Sequence, residues 1–394
     1  MIAYIKTQGA KIIREGRHLL VKQGDDTCNT LFTYRLSQLI LFGKIEITHP
    51  ALCALMKNNI DTVFLTRNGR YLGRLSPVEP KNVFLRKRQF QLVDDPAFGL
   101  KIAKSIVAGK LANMTTIMMR IKRSRNSPEA GLKAKEIQNL FDRLAEADTI
   151  DSIRGYEGRG SAIYFSGLRF GFVENMGFTR RVRRPPTDPV NSVLSLLYTF
   201  LMNRVYAAVR ISALDPCPGF LHTLDYGRYS LVLDLMEEFR SIVADTLTLS
   251  LFNLKILQKT DFRAEVPLAV PQTETLSECR IPDVTTDPIG RMTTNADGGE
   301  ASETGSGAAF DLPEQRLDPS PVTPDQMTGK YPITLQPEAF ARVIDAFEKK
   351  LTTSFYYAPL ERNITYGDAI IQQAAHYRKV IEGEADVYQP LLLK

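Results

Sequence analysis

The sequence predicts an α+β fold: a small N-terminal β domain followed by an all-helical domain that carries a disordered acidic insert. Three observations predict it. Short runs rich in Ile, Leu, Val and Phe, punctuated by Gly, Asp and Asn, fill residues 1–78. Beyond them, apolar residues recur at helical spacing for nearly two hundred residues. Residues 264–330 break that rhythm, with eight prolines, a single aromatic (Phe310) and twelve acidic against four basic side chains.

In chain order, Ile2–Ile5, Lys11–Ile13, Leu19–Lys22, Leu39–Phe42 and Thr62–Leu65 read as strands of a small sheet or sandwich, with one helical piece at Pro50–Lys57. Turns fall at Gln23–Asp26 and at Arg67–Arg70, where an Asn-Gly pair favours the backbone a hairpin needs. The stretch Leu75–Val83 opens a linker assigned to 79–88. Helices are expected over Ala97–Ser124, Gly131–Glu146, Ile150–Gly167, Pro189–Ala213 and Ser230–Leu251, then Pro337–Thr352 and Tyr366–Glu382. Proline at early helical positions, in Asp95-Pro96 and Asp188-Pro189, marks two of the starts. The division is therefore a β domain at 1–78, a linker at 79–88, helices at 89–263, the insert at 264–330 and C-terminal helices at 331–394. The insert is expected to be disordered because its composition buries too little apolar surface to offset the entropy of ordering.

Charge sharpens the picture. The 394 residues carry a formal +6, but the insert alone carries −8, so the remainder carries +14. Four scattered cysteines with no CxxC pair argue against a disulfide scaffold and a structural zinc site. A reducing, cytoplasmic location is expected. The N-terminal MIAYIKTQGAKII lacks the apolar core of a signal peptide. The most apolar run, Val193–Met202, is too short to span a bilayer and reads as a buried helix. Secreted, membrane-spanning and disulfide-stapled classes are excluded on these grounds, and no membrane partner is expected.

Three basic clusters stand out, at Leu85–Gln91, Met118–Arg125 and Thr179–Pro186. In the last, Arg180, Arg181, Arg183 and Arg184 precede two prolines and so lie on an extended segment, where guanidinium forks suit phosphate. Any one cluster also reads as a solvated charged face. Three of them in a domain of this surplus favour nucleic acid. No signature of a base-reading RNA or zinc-finger module is present, so contacts to the backbone are expected.

Four histidines are easily weighed. His18 and His49 lie among apolar β residues and His376 in a late helix, all three structural readings. His222 follows ALDPCPGFL, an irregular stretch with two prolines and a glycine. Twelve residues on, Asp234 and Glu237 stand at i and i+3 on one helix face among Leu231, Val232, Leu233, Leu235 and Met236. Carboxylates in such a face need a cation, either an arginine such as Arg240 or a metal ion. Glu157, flanked by Gly155, Gly158 and Gly160, adds a third acid. Glu157, His222 and Glu237 together form a one-imidazole, two-carboxylate set of the kind that suits Mg²⁺ or Mn²⁺ bound to phosphate.

These residues sit in segments that resemble the CRISPR-associated integrase, the endonuclease and catalytic subunit of spacer acquisition (CRISPR-associated protein one). The resemblance covers nearly the whole chain outside 264–330. It runs through LILFGKIEITHPAL, VFLTRNGRYLGRL, RQFQLVDDP, GYEGRGSAIYF, RRPPTDPVNSVLSLLYTFL, GFLHTLDYGRYSLVLDLMEEFR and ITYGDAIIQQAAHYRKVIEGE. It implies Glu157, His222 and Glu237 as ligands of Mg²⁺ or Mn²⁺, with Asp234 in a supporting role. It implies an N-terminal β domain that pairs in a homodimer, joined to a helical catalytic domain. It further implies dimers assembled with a small ferredoxin-like partner, CRISPR-associated protein two, in a heterohexamer on double-stranded DNA. The implied reaction joins the 3′-hydroxyl ends of short duplexes (prespacers) into the CRISPR repeat by transesterification. A metal-dependent nuclease of plain or branched DNA and a non-enzymatic DNA-binding scaffold are the alternatives. The acidic insert departs from the family pattern.

Overall fold

In the computed structural model, residues 2–76, 82–183, 185–265 and 331–393 are described. Strand β5 (Gln38–Phe42) is buried at every position, after β1 (Ile2–Ile5), β2 (Lys11–Glu15), β3 (His18–Gln23) and β4 (Asp26–Phe32). Side chains alternate across a strand, so QLILF serves two cores at once. Leu39 and Leu41 join a small cluster with Ile12, Leu19, Val21 and Leu55, whereas Ile40 and Phe42 join the large core of the helical region.

That division explains the two sheets. After β6 (Glu46–Ile47), helix α1 (His49–Lys57), β7 (Asp61–Leu65) and β8 (Tyr71–Leu75) complete the N-terminal region. One sheet has the order β1-β5-β7-β8, the other β4-β3-β2-β6. Strands β1, β5 and β7 run parallel, with α1 making the crossover between β5 and β7. The sequence reading found neither these parallel pairs nor strands β4 and β8. β4 is mostly exposed, so it lacks the apolar alternation that betrays a strand.

The N-terminal sheet is not a free-standing module. Arg74 of β8 pairs with Asp61 at 3.0 Å, donates to Asn203 and lies over the Tyr206 ring at 3.4 Å. Tyr4 meets Arg204 and Glu348. The residues of the expected linker are also partly helix: α2 spans Val83–Val93, with Asn82 accepting from the Leu85 N–H as its cap. Its buried residues Leu85, Gln89 and Leu92 keep helical spacing, a pattern masked by the basic residues between them.

Helices α3 (Pro96–Arg125), α4 (Pro128–Arg143), α5 (Ile150–Leu168) and α6 (Pro189–Ile211) follow within a few residues of expectation. α6 is long and apolar enough to cross a bilayer by length and composition, and 61% of its apolar window is buried in the protein core. The single helix expected over Ser230–Leu251 is instead α7 (Ser230–Phe239), a π-helical turn (Arg240–Asp245) and α8 (Thr246–Asn253). The region is also not wholly helical. β9 (Phe262–Ala264) pairs with β10 (Ile333–Leu335), and β11 (Ser354–Tyr357) with β12 (Arg362–Thr365), around α9 (Pro337–Thr352) and before α10 (Tyr366–Glu382). Ala264 is thus strand, and the insert from 266 to 330 lies outside the described residues.

The chain's end is clamped by a buried carboxylate. Glu238 of α7 accepts from Tyr388 Oη (2.6 Å), from the Leu391 N–H and from Gln373 Nε2 (3.1–3.2 Å). Burial pushes the Glu238 carboxyl up to about 7, although these donors oppose the shift. A carboxyl raised in the fold favours folding below its ordinary value of 4.5 and loses that contribution as pH rises through about 7. Asp245, raised to about 6 by burial, acts in the same direction. Glu238→Gln is therefore expected to flatten the decline of metal-free stability between pH 4.5 and 7. At the acid end it should cost little, because a protonated carboxyl, like an amide, offers one full acceptor oxygen and one donor group. Chemical denaturation across that range checks both, and an unchanged slope would contradict the assignment.

Candidate active site

Lys110 is the centre of the site, and no sequence motif pointed to it. It lies on the buried stripe of α3 between Ile106, Val107, Leu111 and Met114, with its side chain only 5% exposed. Its ammonium meets the Glu157 carboxylate of α5 and lies 2.6 Å from Glu237 Oε2 of α7. A lysine within an apolar stripe is the signal that could have found it, because such a residue is rarely buried unless paired.

Local packing brings these three helices together. Gly160, one turn after Glu157, faces α3 so closely that a Cβ there would lie 2.3 Å from Leu111 Cδ2. Gly155 and Gly158 face open space, so the glycines flanking Glu157 leave its outer side uncovered. Thr149 caps α5 by accepting from the Ser152 N–H, and Ser161 Oγ donates to Glu157 Oε1 at 2.9 Å. Glu157 retains 26% side-chain exposure, against 4% for Glu237.

The two acids of α7 do different work although they share its buried surface. Glu237 Oε1 pairs with Arg240 Nε at 3.0 Å. Its Oε2 touches Lys110 but receives no aligned hydrogen bond. Burial alone would raise the Glu237 carboxyl, but Arg240, Lys110 and His222 outweigh it and bring it down to about 2. It is ionised at any working pH. Arg240 belongs to the π-helical turn and also lies 4.8 Å from the Tyr198 ring centroid. Tyr198 Oη in turn donates to Asp245 Oδ1 at 2.7 Å.

Asp234 organises the His222 loop. Its side chain is fully buried and accepts backbone N–H bonds from Phe220 (2.6 Å), Leu221 (3.0 Å) and His222 (2.9 Å). It also accepts from His222 Nδ1 at 2.7 Å, which fixes the ring and leaves Nε2 as the nitrogen able to ligate. Arg154 holds the same loop from α5 through the Leu221 carbonyl at 2.8 Å. Gly219 lets the loop pass α7, since a Cβ there would lie 2.6 Å from the Ser230 carbonyl carbon.

The donor set fits a divalent ion in kind: an ionised carboxylate with an unsatisfied oxygen, a second carboxylate open on one side and an oriented imidazole. As the side chains stand, no three His, Cys, Asp or Glu groups among the described residues converge to hold a metal. The Lys110 ammonium is what lies between the two glutamates.

The arginine strand is only partly available to a ligand. Arg180 and Arg183 are exposed, and Arg184 lies outside the described residues. Arg181 turns inward: its guanidinium donates to the Val182 carbonyl, Asn191 Oδ1 and Ser195 Oγ and packs over Tyr198. Both of its terminal nitrogens are engaged inside the protein. Asp188 bonds Asn191 and caps α6. His376 accepts from the Gln389 N–H and stacks on Tyr388, a role in anchoring the tail.

The family model described as CRISPR associated protein Cas1 matches residues 3–274. The chain belongs to the Cas1 family. A Rhodospirillum rubrum protein named CRISPR-associated endonuclease Cas1 2 is 32% identical over 272 residues, or 66% of this chain and 78% of that protein. Among solved structures, one titled as a Cas6-RT-Cas1–Cas2 complex superposes with a TM-score of 0.74 at 21% identity. The match covers 100% of this chain but 36% of that longer one. A casposase bound to integration product superposes at 0.73 and 18% identity, covering 98% of this chain and 92% of the other. At those identities the likeness is one of fold, and it places the β-plus-helical architecture among Cas1 structures.

Asp234→Asn tests the Cas1 loop clamp. An amide in place of the carboxylate leaves at least one of three buried N–H groups without an acceptor, at an expected cost of about 1–3 kcal/mol. Denaturation measures that cost. Nitrogen chemical shifts of His222 should show the loss of its Nδ1–H form, and an unchanged tautomer with unchanged stability would contradict the clamp.

Proposed function

We propose that this Cas1 chain is a divalent-metal-dependent DNA strand-transfer enzyme of CRISPR spacer acquisition. It joins the 3′-hydroxyl ends of a short DNA duplex to phosphodiesters at the edges of a CRISPR repeat. The observation that carries the reading is that Glu157 and Glu237 meet on one Lys110 ammonium, with the Asp234-oriented His222 near enough to act on the Glu237 carboxyl. Glu157, Glu237 and His222 Nε2 would hold Mg²⁺ or Mn²⁺, which when bound supplies Lewis-acid stabilisation of charge on a phosphoryl oxygen. Glu237 stays ionised because its cationic neighbours hold it at about 2, so it is ready to ligate without losing a proton. Asp234 keeps His222 in one tautomer. In this reading the attacker is a substrate 3′-hydroxyl, and the protein's part is positioning and electrostatics.

Exposed Arg180 and Arg183, together with the basic face of α3 near Arg123, would meet DNA phosphates without reading bases. The matched complex whose title includes Cas2 supports a small CRISPR-associated protein two as partner, and a homodimer pairing through the N-terminal sheets completes the proposed heterohexamer. The relative's name, endonuclease, favours a second reading in which water replaces the 3′-hydroxyl and DNA is cleaved. A non-enzymatic scaffold predicts no metal dependence at all.

Glu157→Gln, His222→Ala and Glu237→Gln are each expected to lower strand transfer by about a hundredfold or more, as loss of one ligand from a three-donor site should. DNA binding should change little. The assay uses a 3′-hydroxyl duplex and a repeat-bearing plasmid with Mn²⁺, scored in parallel for joining and for cleavage. Joining supports integration. Cleavage without joining favours the nuclease, and metal-independent activity rejects both.

A further inference from the structure

The two glutamates are matched in charge without any metal. Glu157 and Glu237 contribute two negative charges, and Lys110 and Arg240 two positive ones, with Lys110 and Glu237 nearly sealed from solvent. Adding a divalent cation to that set leaves an excess of positive charge in a low-dielectric site, which is strongly unfavourable. The oxygens needed to ligate are also those that touch Lys110. Arg240 pairs with Glu237 Oε1 and lies against the Tyr198 ring, and it acts on Glu157 only from beyond ion-pair distance. Among the described residues, Lys110 is the cation in contact with both carboxylates. A flexible four-carbon stem lets an ammonium leave such a position more readily than an arginine fork would.

We propose that the Lys110 ammonium is a placeholder cation: it occupies the Glu157–Glu237 pair in the metal-free protein and is displaced when a divalent ion binds. This rests on the metal-centre reading above. The placeholder keeps two carboxylates from repelling each other across α5 and α7, and it weakens metal affinity because each binding event must first break its ion pairs.

Direct Mn²⁺ binding to the full chain without DNA, followed by electron paramagnetic resonance of the free ion, tests the idea. Lys110→Met, which keeps length and loses charge, should bind Mn²⁺ roughly tenfold tighter or more than the wild type. Its metal-free melting temperature should be lower and should rise further on adding Mn²⁺. Lys110→Arg, which keeps the charge, should stay near wild-type affinity. Equal or weaker Mn²⁺ binding by folded Lys110→Met would overturn the placeholder role. Wild-type protein supplies a second measurement that does not depend on the variant folding. Labelling by an amine-reactive reagent, read by mass spectrometry, should rise at Lys110 when Mn²⁺ is present, and protection unchanged by Mn²⁺ would overturn the proposal. The underlying reading fails separately: if neither wild type nor Glu237→Gln differs in Mn²⁺ uptake, there is no metal centre at these residues. Uptake lost in Glu237→Gln but unaffected in Lys110→Met removes the placeholder alone.

Discussion

An ammonium buried between two carboxylates organises the helical half of this protein. Lys110 cannot sit within the apolar stripe of α3 unless α5 and α7 deliver Glu157 and Glu237 to it, because an unpaired buried charge would cost several kcal/mol. The three helices are therefore held in register by electrostatics as well as by apolar contact. Other features follow from the same demand. Gly160 admits α3 at close range, and the π-helical turn after Phe239 carries Arg240 back toward Glu237. π-Turns interrupt helices at functional sites more often than elsewhere, and here the turn supplies the second cation.

Three acids within five residues of α7 illustrate how neighbours on a buried helix acquire separate tasks. Asp234 is saturated by three backbone N–H groups and an imidazole, so it is a positioning group for His222. Glu237 faces cations and keeps one oxygen without an aligned donor. Glu238 faces neutral donors, and its carboxyl is pushed up where that of Glu237 is pulled down. Burial is common to both glutamates. The sign of the shift is decided by whether the partners carry charge. Glu238 also anchors the chain's last residues beside α3, where Asn113 bonds the Leu391 carbonyl and the Leu393 N–H. The C-terminal segment thus braces the same pair of helices that hold the site.

Much of this was legible in the sequence wherever a residue pattern is local. Helical periodicity located α3, α5, α6, α9 and α10 because their apolar stripes repeat every three to four residues. The i, i+3 spacing identified Asp234 and Glu237 as lining one buried surface. What escaped depends on distant partners. The parallel pairing of β1, β5 and β7 cannot be read from alternation when both faces of β5 are buried. The division of labour between Asp234 and Glu237 follows from what faces each of them, not from their spacing. Lys110 is not legible as a site residue, because a lone cation in an apolar run acquires meaning only once its acidic partners are placed. Arg181 shows the converse error: a dense basic cluster suggested DNA contacts, but Asn191 and Ser195 at the start of α6 take its donors.

The account turns on what occupies the space between Glu157 and Glu237. Crystals grown without metal and then soaked in Mn²⁺, with data collected at the manganese absorption edge, measure this most directly. The predicted result is an anomalous peak bounded by Glu157, Glu237 and His222 Nε2, with the Lys110 side chain moved out of the pair. A peak located elsewhere, or no peak with Lys110 still bridging both carboxylates at saturating Mn²⁺, would contradict it.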